Sequence, residues 1–228
     1  MLSKLPKWVL VGGWGLAFVA GMTNAVAILG FTHQPVSHMT ASTSHLAVAA
    51  ADADWHELAA MSGVIGSFFL GAVFCGWMIR STVLQLGRRY GTAMLIESLA
   101  LASAALLLQH GSVVGIGLCC FACGLQNGLA ATFSGAIVRT THMTGLFTDL
   151  GVHIGQLLRG QPADLKRLRL YSSLITGFAC GGAAAALAIP HLGNLTLLVP
   201  AAIVAASSFG YRVLRLEHHV PIETAAGP

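Results

Sequence analysis

The sequence predicts an all-α membrane protein: six transmembrane helices in two inverted-topology three-helix repeats, each with a short re-entrant or interfacial helix after its first span. Three observations predict it. Charged residues are only 9% of the 228 and hydrophobic residues 55%, whereas soluble domains average about 25% charged. Apolar runs of roughly 20 residues recur along the chain, each long enough to cross a bilayer as a helix. A polar motif also occurs twice, as Ser37-His38-Met39-Thr40 and as Thr141-His142-Met143-Thr144.

Lys4 and Lys7 open the chain, and an apolar run from Trp8 to Gly30 follows. It is too long for the apolar stretch of a signal peptide, and its repeat partner lies mid-chain, so it reads as a first span. Pro35 then interrupts helix. Ser37–Ala51 is rich in Ser, Thr and His and too short to span comfortably. Further spans are expected at Leu58–Ile79 and Gly91–Gln109, separated by the basic connector Arg80–Arg89. The second half repeats the plan. Ser112–Phe133 is a span, Thr144–Leu158 the short segment, Arg159–Arg169 a basic connector, and Leu170–Ile189 and Leu195–Tyr211 the last two spans. The expected division is residues 1–110, residues 111–215 and a polar tail from 216 to 228.

Charge tests this topology. If the short segments do not span and the amino terminus is cytoplasmic, all twelve Lys and Arg fall on the cytoplasmic side. The opposite connectors keep only acids and histidines, among them Asp52, Asp54, Glu57, His56, His110 and His191. If the short segments spanned, Arg80, Arg88 and Arg89 would be translocated, against the positive-inside rule. The expected location is therefore the bacterial inner membrane, multi-pass, with both termini cytoplasmic. The net charge of +4 then records orientation and does not point to nucleic acid.

Three spans per half make the two halves enter the membrane in opposite senses, a plan common among transporters and some channels. The duplication rests on spacing. Gly21/Gly124 and Asn24/Asn127 are 103 apart, while His38/His142, Met39/Met143 and Thr40/Thr144 are 104 apart. Gly124-Leu125-Gln126-Asn127, the stretch Val138 to Gly145 and the run to Asp149-Leu150-Gly151 resemble the YoaK-like family of bacterial membrane proteins. Ser37-His38-Met39-Thr40 resembles that family's first motif, although Ala41-Ser42-Thr43 replaces its usual Gly-Asn-Thr continuation. The resemblance implies an inner-membrane protein of uncharacterised function, and supplies neither substrate nor site.

Candidate substrate-binding residues are Asn24, Ser37, His38, Thr40, Asn127, Thr141, His142 and Thr144. If the short helices dip inward, their free N–H groups and Ser/Thr hydroxyls make sites for an anion or polar group, and Asn24 and Asn127 add amides. The competing reading is that these groups only hydrogen-bond between helices. Glu97, in the middle of an apolar run, is a candidate proton carrier, since an acid at membrane depth is expensive and usually faces the bundle interior. A structural acid near the cytoplasmic end is its alternative. His45, Asp149 and His153 are further polar candidates. No metal is assigned, because the two motifs start from opposite leaflets and Asp149 and His153 also suit a simple i,i+4 contact.

Cys75, Cys119, Cys120, Cys123 and Cys180 fall inside apolar runs and read as packing residues, C-x-x-C notwithstanding. Gly111/Gly115, Gly124/Gly128 and Gly177/Gly181 are small-xxx-small pairs that let helices approach closely. They point to a compact bundle, with a homodimer left open. No phosphate-binding loop, dinucleotide fingerprint, zinc-protease motif or catalytic triad is visible. The chain therefore reads as no enzyme and as needing no cofactor. The expected function is a small polar-solute or anion transporter or channel with its pathway at the repeat interface. The alternative is a non-transporting scaffold or partner-binding protein. The lipid bilayer is the expected surrounding partner.

Overall fold

A computed structural model describes residues 7–31, 35–79, 89–134, 139–162 and 164–217. Every regular element among them is helical: α1 (Lys7–Val26, continued by a π-helical turn Ala27–Phe31), α2 (Met39–Ala51), α3 (Trp55–Met78), α4 (Tyr90–Gln109), α5 (Val114–Ser134), α6 (Met143–Leu158), α7 (Leu165–Leu192) and α8 (Leu198–Glu217). A 3-10 turn, Gly193–Leu197, joins α7 to α8. Five helical stretches are long and apolar enough to cross a bilayer, the last running from Leu165 to Val213 through that turn. The chain is accordingly a multi-pass membrane protein. Residues 80–88, the first basic connector, and the tail from residue 218 lie outside the described residues.

Two helices begin earlier than their apolar runs, for the same reason. The Asp54 carboxylate accepts the backbone N–H groups of His56 and Glu57, and Asp164 accepts those of Lys166 and Arg167. Each carboxylate satisfies free N–H groups of the first turn. The helices therefore start at Trp55 and Leu165, and Lys166, Arg167 and Arg169 stand on helix instead of in a connector.

The packing comes in matched pairs. α1 lies along α7 and α3 along α5, while α4 contacts both α5 and α8. Where α1 meets α7, Gly21 faces the carbonyl of Phe178, and Gly181 faces the carbonyl of Phe18 and the N–H of Met22. Where α3 meets α5, Gly124 faces the carbonyl of Phe68, and Gly71 faces the carbonyl of Phe121 and the N–H of Leu125. The two sets correspond residue for residue, with intervals of 103 between α1 and α5 and 110 between α3 and α7. Absence of a side chain at these four glycines lets the backbones touch.

The α4–α8 contact is symmetric with itself. Ser98 donates to the carbonyl of Ala201 at 2.8 Å, and Ser208 donates to the carbonyl of Gly91 at 2.6 Å. Both bonds keep the 110-residue interval, and both hydroxyls are buried.

Contact order along the helices gives their directions. Gly13 meets Leu174 and Gly181 meets Phe18, so α1 and α7 run parallel; Gly117 meets Ser67 and Gly128 meets Cys75, so α3 and α5 do too. α4 opposes both α5 and α8. The carboxyl ends of α1, α4 and α7 meet at one end, where the Asn194 amide donates to the carbonyl of Leu108 and Gly30 stands against Asn194. Asp52, Asp54 and Glu57 belong to that end. Arg89, Arg212, Lys166, Arg167 and Arg169 belong to the other. The central core is apolar and cysteine-containing, with Met22, Val26, Leu108, Cys119, Cys120, Cys123 and Leu197 among its buried members.

Candidate functional site

Each short helix is tied to the preceding span through an asparagine. In the first half, Asn24 Oδ1 accepts the backbone N–H of Ser37 at 3.1 Å, and Asn24 Nδ2 donates to Ser37 Oγ at 2.6 Å. In the second, Asn127 Oδ1 accepts the backbone N–H of Thr141 at 3.4 Å and its hydroxyl at 3.1 Å. Both amides also donate to the carbonyl one turn earlier, Ala20 or Cys123. All four residues are buried.

These bonds set where the motifs sit. Asn24 lies seven residues before Phe31, so Ser37 stands about 10 Å inward from the end of that helix, given a rise of 1.5 Å per residue. The chain turns back to reach it, and α2 then runs outward beside the start of α3. Asn127 places Thr141 in the same way relative to Ser134. The starts of α2 and α6 therefore point inward, from opposite ends of the bundle. Neither start carries a side-chain cap, for His38 and His142 make no capping bond. Backbone carbonyls take part of that role: the Met143 N–H donates to Thr141 and the Ala41 N–H to His38, each at 3.0 Å.

The remaining motif residues divide. The His38 ring stacks on Phe178, with centroids 6.3 Å apart, and its burial lowers its pKa from the ordinary value. His142 folds over Gly145, and its side chain is exposed, as are Thr40 and Thr144. Outward-facing hydroxyls close on their own helix: Thr43 donates to the Met39 carbonyl, Ser44 to Thr40 and Thr148 to Thr144. This keeps them satisfied in an environment poor in water.

The further polar candidates are not gathered with the motifs. His45 Nδ1 is 3.8 Å from Glu57 Oε1. His153 Nδ1 lies 2.8 Å from the backbone oxygen of Asp149, one turn earlier, and its ring meets Tyr171 edge-on. Among the described residues no group of three or more His, Cys, Asp or Glu is placed to hold a metal ion.

Glu97 is 1% exposed, on the middle of α4, and its Oε2 has no hydrogen-bond partner among the described residues. Cys75 and Cys123 are within electrostatic reach of it. Sequence reasoning passed over other buried polar groups. Gln126, one residue before Asn127, donates to the Leu16 carbonyl at 2.6 Å and so joins α5 to α1. Thr23 turns back on Val19. Thr140, fully buried beside the second motif, has a hydroxyl without a partner among the described residues. Gln126 and Thr140 stand inside or beside the motifs, which was the available signal.

No curated protein and no solved structure matches the chain. A family described only as a protein of unknown function, DUF1275, matches residues 12–210. A span that long takes in all eight helices in whole or in part, so the chain belongs to the DUF1275 family.

Proposed function

We propose that this protein moves a small polar or anionic solute across the membrane, through a pathway where two inverted three-helix repeats meet. The observation that carries the reading is Glu97, an acid buried between spans with a carboxyl oxygen that has no partner among the described residues. Ionisable groups at membrane depth are costly and are kept where ions or protons pass. Supporting the location are the paired contacts of α1–α7 and α3–α5, and the two uncapped helix starts that point inward from opposite ends. Such half-helix starts present N–H groups and a positive dipole end to a solute anion.

In this reading the stretch Leu165–Val213 counts as two spans, broken at Gly193, where φ is +53°, and the bundle has six. Segregated charge would put the arginine end in the cytoplasm, in a bacterial inner membrane as the YoaK-like resemblance implies. Glu97 carries the coupling proton, Thr40 and Thr144 meet the solute, and no catalysis is involved. The Asn24–Ser37 and Asn127–Thr141 bonds favour a second reading in part: those four residues hold each short helix to its span. A wholly structural version makes the protein a scaffold.

The test is solute uptake into proteoliposomes under an imposed pH gradient, across a panel of small anions and polar metabolites. Wild type should take up one class, Glu97→Gln should lose the gradient-driven part, and Thr144→Ala should abolish flux while remaining folded. No uptake across the panel would leave the scaffold reading standing, and uptake indifferent to both substitutions would take Glu97 and Thr144 out of the pathway.

A further inference from the structure

The two halves differ at the flank of their short helices. At the acidic end, a cavity of about 550 Å³ opens between α2, the first turns of α3 and the start of α5. Its walls include Ser42, Ala60, Met61 and Val64, with Glu57 and His56 at the α3 start. The matched place in the other half is filled. The 110-residue interval of the α3 and α7 contacts puts Leu170 opposite Ala60, Tyr171 opposite Met61 and Leu174 opposite Val64, and the 104-residue interval of the two motifs puts Leu146 opposite Ser42. Those four larger residues form a buried cluster with Ala17. The matching caps, Asp54 and Asp164, hold the register of the two helices through their first turns.

Charge differs as well. Glu57 lines the open cavity where the filled half carries Arg167, and His56 stands where the other has Lys166. The chain has no Lys or Arg between Lys7 and Arg80, nor between Arg89 and Arg139, so none lies on the segments forming the cavity. The nearby His45 imidazole is 3.8 Å from Glu57, close enough for an ion pair when it is protonated. The cavity volume is that of a small-molecule site, and it joins an apolar floor to a carboxylate that no Lys or Arg of its own walls neutralises.

We propose that this cavity binds a small organic cation, an ammonium group carried on an apolar body. The cation pairs with Glu57, and the body fills the space left by Ala60, Met61 and Val64. The site needs no flux through the bundle, and stands or falls apart from the transport reading.

The test uses the full-length protein in lipid nanodiscs, with benzyltrimethylammonium as probe and neopentylbenzene, its neutral isostere, and benzenesulfonate as comparisons. The cation should bind saturably and at least about tenfold more tightly than either comparison, a difference of roughly 1.4 kcal/mol. Glu57→Gln should erase that preference. The double substitution Ala60→Leu with Met61→Tyr, which imports the residues of the filled half, should abolish binding. Absence of saturable binding, equal binding of the neutral isostere (an apolar slot for lipid chains), or a preference that survives Glu57→Gln would each overturn the proposal. If the double variant fails to fold, the Glu57→Gln comparison alone decides.

Discussion

Gly21 lies directly against the backbone carbonyl of Phe178, and Gly124 stands in the same relation to Phe68. A methyl group at either place would occupy the position of a main-chain atom, which cannot swing aside as a side chain can. Gly21→Ala and Gly124→Ala should each destabilise the protein by at least about 2 kcal/mol, the cost of overpacking a rigid contact. Gly66→Ala is the control, since nothing lies within 4 Å of a Cβ there, and it should stay within about 1 kcal/mol of wild type. Thermal unfolding in detergent checks all three. Equal midpoints for the buried and the open positions would mean that these helices are not packed through their glycines.

The Asn24–Ser37 pair should behave as one unit. Removing the amide strips the Ser37 N–H of its acceptor, and an unsatisfied buried donor costs about 1–3 kcal/mol. Asn24→Ala is therefore expected to cost more than Ser37→Ala, which loses only the hydroxyl contact. The double variant should fall short of the sum by about 1 kcal/mol, as bonded neighbours do. Additive effects would show that the two residues are stabilised separately.

The placement of the apolar runs and the similar spacing of Asn24–Ser37 and Asn127–Thr141 were legible in the chain, because length, hydropathy and interval are local properties. What the asparagines do was not. An amide thirteen or fourteen residues before a polar motif serves equally as a solute ligand or as a tether, and only the returning chain distinguishes them. Gly124 and Gly181 announced close packing without naming partners, since a small residue permits an approach and does not choose it. The crossed pairing of α1 with α7 and of α3 with α5 depends on how the two halves fit together. The cavity beside Ala60 was invisible for a related reason: it is defined by what Tyr171 and its neighbours fill elsewhere. Asp54 and Asp164, by contrast, were readable as caps, and a run measured by hydropathy alone starts too late at both.

Acid should weaken the protein through His38. Its ring rests on Phe178, and burial holds its pKa below the ordinary 6.5. As pH falls through 6.5 the unfolded chain takes up a proton that the folded chain refuses, so stability drops. Above 6.5 both states are neutral there and the effect vanishes. A thermal midpoint measured from pH 7.5 to 5.5 should fall more steeply for wild type than for His38→Phe, which keeps an aromatic ring against Phe178. Identical slopes would move the pH response to another group.

Glu97 separates function from architecture most cleanly. If the acid were there to hold the bundle together, replacing it should cost stability, as losing a buried hydrogen-bonding group does. Its unpartnered oxygen argues the reverse: the group is kept at some expense, since burying a polar atom without a partner costs about 1–3 kcal/mol. Glu97→Gln should then leave the thermal midpoint within a few degrees, and Glu97→Leu, similar in size and free of polar atoms, should match or exceed wild type. Gain of stability with loss of proton-driven flux is the pattern expected of a site that trades one for the other. A loss of about 2 kcal/mol or more in Glu97→Leu would instead place Glu97 among the structural polar groups, beside Ser98 and Ser208, and would take the proton carrier out of the transport reading.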